Sequence, residues 1–123
     1  MDWKIELIFV PVADVDRAKE FYERVGFHTD HDQVPYEGLR FVQMTPPGSA
    51  CSIAFGDGLE IDLEPGRQNT IQVVVPDADA ALAHLRSVGV EASGVDDLSW
   101  GRFVTFDDPG GNSWTLQQLP TAG

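Results

Sequence analysis

The feature that most limits what this chain can fold into is an internal repeat. A short apolar strand signal, an acidic cap, an amphipathic helix, a glycine stop and a new strand follow one another twice. Asp14, Asp16, Ala18 and Gly26 of the first copy meet Asp77, Asp79, Ala81 and Gly89 of the second at an offset of 63 residues. Further along, Arg40-Phe41-Val42 and Pro47-Gly48 meet Arg102-Phe103-Val104 and Pro109-Gly110 at an offset of 62. Two copies of this length are too few for a solenoid. They must instead pack on each other.

Each copy reads as β-α-β-β-β. Ile5 to Val12 is short and rich in Ile, Val and Phe, as a half-buried strand is. Ala18, Phe21, Tyr22 and Val25 fall at i, i+3, i+4 and i+7 and make one apolar helical stripe. Asp14 or Asp16 is placed to cap the helix start, and Gly26 to end it in a left-handed turn. In the second copy Ile71 to Val75 is the strand, Ala81, His84, Leu85 and Val88 the stripe, and Gly89 the stop. Each Pro-Gly turn leads into a last strand, Cys51 to Phe55 or Ser113 to Leu119. Asp30 to Gly38 and Ser93 to Gly101 read as loops that rim a cavity. The units run over about 5–56 and 68–119, with an acidic linker over 57–67 that extends to Asn69 at its widest. The expected fold is therefore α+β, one domain over 1–123. Its tandem βαβββ units form a curved mixed sheet around a cavity, with helices on the outer face.

The chain has 123 residues, enough for one core without staples. Its single cysteine, Cys51, excludes an internal disulfide or a thiolate metal cluster and reads as a small buried hydrophobe. A formal charge of -12 would repel nucleic-acid backbones and anionic membranes, so neither is an expected partner. No apolar run approaches the roughly 18 residues a membrane span needs. Met1-Asp2-Trp3-Lys4 does not open a signal peptide. The expected location is the cytoplasm.

The phrase Val12-Ala13-Asp14-Val15-Asp16-Arg17-Ala18-Lys19-Glu20-Phe21-Tyr22, the stop Val25-Gly26-Phe27 and the closing Phe106-Asp107-Asp108-Pro109-Gly110-Gly111-Asn112 resemble the vicinal oxygen chelate superfamily, which includes glyoxalases, bleomycin resistance proteins and extradiol dioxygenases. The resemblance covers nearly the whole chain. In metal-dependent members each half supplies two ligands, one from its first strand and one from its last. Carried over by motif, those positions are Leu7, Ile53, Thr70 and Thr115. Leu7 and Ile53 have no donor atom, and two neutral hydroxyls make a poor remainder for a divalent metal. No metal and no cofactor is expected. The resemblance also implies a homodimer; a monomer whose two halves face each other is the equal alternative.

Strand alternation predicts the lining. Leu7, Phe9, Cys51, Ile53 and Phe55 share a face in the first half, and Thr70, Gln72, Ser113, Thr115 and Gln117 in the second. Ile8, Val10, Ile71, Val73, Trp114 and Leu116 should face the helices. The expected ligand pocket takes in Leu7, Phe9, Tyr36, Phe41, Ile53, Phe55, Thr70, Gln72, Trp100, Arg102, Thr115 and Gln117. Tyr36 and Trp100 sit at the rims, where an aromatic ring can stack on a planar ligand or close over the core. Arg40 and Arg102 are matched by the repeat and suit either a ligand carboxylate or nearby acids.

The leading expectation is metal-independent binding of a small apolar or aromatic molecule, serving sequestration or resistance. A lyase or isomerase using acid–base residues is the alternative, with Glu6, His31, Tyr36 and Gln72 as candidates; no catalytic pair declares itself. A structural or regulatory protein is the third reading. His28 and His31 could bind a metal or act as a base, but their spacing turns them to opposite sides of a strand.

Overall fold

The computed structural model describes residues 2–68 and 70–121. Met1 and the far end of the linker at Asn69 lie outside the described residues. The chain forms β1 (Leu7–Phe9), α1 (Val15–Val25), β2 (His28–Tyr36), β3 (Leu39–Thr45), β4 (Ser52–Asp57), β5 (Ile71–Val74), α2 (Ala78–Ser87), β6 (Asp96–Leu98), β7 (Gly101–Asp107) and β8 (Ser113–Gln118). The doubled βαβββ order is present, and it makes two four-stranded mixed sheets, β1-β4-β3-β2 and β5-β8-β7-β6. In each, the first strand runs parallel to the last, and the other pairs are antiparallel.

The helix ends follow from local chemistry. Asp14 accepts from Arg17 N and Asp77 from Ala80 N, each at 3.1 Å, so these residues are the caps. Gly26 closes α1 at φ +122°, in the left-handed region that costs glycine nothing.

The expected loop over Asp30 to Gly38 is instead most of β2, which turns into β3 through Glu37 and Gly38. Its residues are polar and exposed almost throughout, and it contains Pro35. Such a sequence reads as loop, yet it suits a sheet edge, where a missing amide proton breaks no ladder and both faces meet water.

One buried cluster unites both halves. Val10, Val42, Met44, Ile53 and Phe55 of the first sheet, and Val104, Phe106, Trp114 and Leu116 of the second, share it with helix residues such as Phe21, Tyr22 and Leu85. Tyr22 of α1 touches Phe55 and Trp114 at ring separations of 5.9 and 5.8 Å, so one helix packs on both sheets. Phe106 stacks on Trp114 with a 6° angle between the rings.

The closing motif has a structural role. The buried Asp108 carboxylate accepts from Tyr22 Oη at 2.7 Å, from Asn112 Nδ2 at 2.9 Å, and from the Gly110 and Asn112 amides at 2.9 Å. Asn112 Nδ2 also donates to the Pro11 carbonyl, and Trp114 Nε1 donates to Tyr22 Oη. A buried carboxylate needs such partners. Burial, then the neighbouring charge, pushes the Tyr22 phenol far above its ordinary pKa.

Candidate functional site

Register decides which side chains share the sheet face turned away from the helices. Leu7 pairs with Ser52, Ile8 with Ile53 and Phe9 with Ala54. Val42 pairs with Phe55, and Met44 with Ile53. Ile53 and Phe55 therefore stand on the helix side, where both are buried in the core. The expectation that they share a face with Leu7 and Phe9 is corrected. The open face of the first sheet instead carries Leu7, Phe9, Phe41, Gln43, Thr45, Ser52 and Ala54.

The cause is a single residue. The β3–β4 turn spans 46–51, and the β7–β8 turn spans 108–112. The shorter second turn changes the repeat offset by one between the third and last strands. A slip of one residue turns a strand's side chains to the other face. Ala54, not Ile53, is the counterpart of Thr115.

In the second half, Gln72 pairs with Thr115 and Val74 with Gln117, while Ile71 pairs with Trp114. Gln72, Val74, Phe103, Thr105, Thr115 and Gln117 thus share the open face, in the parity expected for this sheet. Thr70 lies just before β5. Gln72 Nε2 donates to Gln117 Oε1 at 2.7 Å, and Gln117 Nε2 donates to the Trp100 carbonyl at 3.2 Å. The Trp100 ring lies 6.5 Å from that of Phe103. Trp100, Val74 and Phe9 are exposed, and so is Tyr36 at the end of the edge strand. A hollow of about 370 Å³ lies between Phe9 and the linker residues Leu59, Ile61 and Leu63.

Arg102 is placed away from this face. It pairs across β7–β8 with Gln118 on the helix side. Its guanidinium donates to Asp97 at 2.6 Å and to Asp79 at 2.7 Å. Arg40 does the same with Asp32 and Asp16. These two clusters tie each third strand to its helix start and to the neighbouring strand. Hydrogen bonds from Arg40 and Lys19 hold the Asp32 carboxyl well below the usual carboxylate range.

Polar groups that strand alternation alone did not single out occur near Leu7. Thr45 donates to the Asp30 carboxylate, and Ser52 Oγ lies 2.6 Å from Thr45 Oγ1. Ser52 is buried. The signal was hidden because β2 carries an irregularity between Thr29 and His31, which re-aims Asp30.

The metal positions implied by the resemblance become Leu7, Ala54, Thr70 and Thr115. Two have no donor and two offer neutral hydroxyls, so the set does not fit a divalent ion. Among the described residues, no three His, Cys, Asp or Glu side chains gather as a metal centre would require. His28 Nε2 stands 3.8 Å from Asp30 Oδ1 on the exposed edge strand, and His31 is likewise exposed there. Among the same residues, no helix is long and apolar enough to cross a membrane.

Comparisons with known proteins agree with this fold. The chain is 35% identical to TnmS3, an antibiotic binding protein from Streptomyces sp. CB03234, with a TM-score of 0.86; the match covers 97% of this chain and 98% of that one. A glyoxalase/bleomycin resistance protein from the same Streptomyces strain is 36% identical, with a TM-score of 0.81, over 94% of this chain and 100% of that one. The uncharacterized protein YetH of Bacillus subtilis (strain 168) is 25% identical over 94% of this chain and 98% of its own length. The sequence profile of the Glyoxalase/Bleomycin resistance protein/Dioxygenase superfamily matches residues 4–116, and the chain belongs to that superfamily.

Proposed function

We propose that this protein binds a small, largely apolar or aromatic molecule on the open faces of its two sheets, without a metal, and so sequesters it. The observation that carries this reading is the joint one of likeness and donor chemistry. The chain is 35% identical over nearly its full length to a protein described as antibiotic-binding. Its four inherited ligand positions hold residues that cannot grip a divalent ion. The open faces combine apolar groups, Leu7, Phe9, Phe41, Val74 and Phe103, with a few amides and hydroxyls. That composition suits a binding site in which burial supplies affinity and sparse polar groups orient the ligand.

A single chain leaves these faces in contact with water. Exposed apolar surface of this kind marks an interaction site. The proposed assembly is a homodimer in which the sheet faces of two copies close over the ligand. Trp100 and Tyr36 then stand at the rims as stacking groups. Arg102 and the core residues Ile53 and Phe55 have no direct part.

The test is equilibrium dialysis of a panel of aromatic antibiotics against the protein, before and after treatment with a chelator. Saturable binding that the chelator leaves within twofold supports the proposal. Binding that disappears with the chelator and returns with one added metal ion would sink it.

A further inference from the structure

The two halves meet along two clefts that the repeat relates to each other. One lies between α1 and the chain that follows α2, and measures about 640 Å³. The other lies between α2 and the chain that follows α1, and measures about 250 Å³. Matched positions line both. Phe21, Val90, Asp108 and Pro109 of the first have His84, Phe27, Pro46 and Pro47 as counterparts in the second. The chemistry of the two has diverged. The larger cleft carries Arg17, Arg24, Glu91 and Asp107 and is a place for water. Among the described residues, the smaller has no Asp, Glu, Lys or Arg in its lining.

The geometry points to the smaller cleft as a second binding site, separate from the open sheet faces, for one neutral aromatic molecule of one or two rings. Three observations carry this. The first is lining and size. Trp114 and Leu85 are buried at this site, and Phe27, Val73 and Leu116 complete an apolar wall. An apolar cavity of ~150 Å³ already accepts benzene. At about 250 Å³ this one has room for a fused bicyclic.

The second is that the cleft is held open by its own backbone. Pro46 and Pro47 of the β3–β4 turn and Pro76 of the β5–α2 connection all line it. Proline fixes φ and has no amide proton, so these walls resist collapse and leave no donor unsatisfied when water departs.

The third is the fixing of the polar group in the lining. His84 Nε2 and the Val25 carbonyl are 2.6 Å apart. A carbonyl only accepts, so Nε2 carries the proton, and this bond ties α2 to the end of α1 across the cleft. The ring is thereby oriented, and in its neutral form Nδ1 remains an acceptor. A charged ligand would lose its hydration here without a countercharge, which selects for neutral molecules.

The site is independent of the sheet-face reading, and its test keeps the two apart. Indole and naphthalene are titrated into the ¹⁵N-labelled protein, and amide shifts are followed. Saturable shifts centred on Val73, Ala81, His84 and Leu85 support the site. Ala81→Phe, which places a ring in the lining from α2, should weaken the binding read at those cleft amides at least tenfold, while Phe9→Ala on the open face changes that cleft readout less than twofold. Ala81→Leu is run alongside, with circular dichroism, in case the larger ring disturbs the helix. Shifts at Phe41, Thr115 and Gln117 with none at Val73, Ala81, His84 and Leu85 would overturn the inference. So would an unchanged affinity in a folded Ala81 variant, or the absence of saturable binding by either probe.

Discussion

At the scale of single residues, a few polar groups hold the structure together. Tyr22 is hydrogen-bonded to Asp108 and Trp114 deep in the core. Tyr22→Phe removes one donor from a buried carboxylate and should cost about 1–3 kcal/mol in urea unfolding. A cost below 0.5 kcal/mol would contradict the network. Asp32 carries the opposite kind of prediction, one of pH. Its folded pKa is depressed by Arg40 and Lys19. The stability it contributes is therefore present above its unfolded pKa, near 4, and is lost as pH falls below that toward the folded value. Asp32→Asn should cost about 1 kcal/mol at pH 7, as a networked surface pair does. The gap between variant and parent should narrow steadily from pH 5 to pH 2. Urea midpoints across that range check it, and a gap that widens in acid would be wrong in sign.

At the scale of elements, the placement of Ile53 on the helix side of β4 has a consequence for stability. Ile53 is a core residue, so Ile53→Ala should cost about 2–5 kcal/mol. Thr115→Ala, on the open face, should stay within about 0.5 kcal/mol, since it removes no core packing. Thermal unfolding of the two separates the two registers. The same strand shows what was legible in sequence. Helix stripes, caps and glycine stops obey local rules, so α1, α2 and the doubled order could be read directly. The open face of the second sheet followed from alternation, because Gln72 and Thr115 keep parity across a parallel pair. Ile53 was misplaced because parity must be carried through a turn, and the first turn holds one residue more than the second. Most of β2 reads as a loop in sequence because an edge strand can satisfy itself with water and so shows no apolar alternation. The Asp30–Thr45–Ser52 chain depends on the irregularity in β2, which no local pattern announces.

At the scale of the whole molecule, the two halves share one core through the helix layer and turn their open faces to solvent. That division is why a partner copy is proposed to complete the site. Placing a charge at Phe9 or Val74 should then shift sedimentation from twice the 13.5 kDa chain mass to that of one chain, and weaken ligand binding with it. An unaltered sedimentation coefficient would place the interface elsewhere.

Under the proposed function, the inherited site is a metal-free binding surface. Native mass spectrometry of the freshly purified protein tests it most directly. The expected result is a dimer that takes up one aromatic antibiotic per site and carries no stoichiometric divalent ion. One zinc, nickel, manganese or iron ion per chain, with ligand uptake that depends on it, would contradict the account.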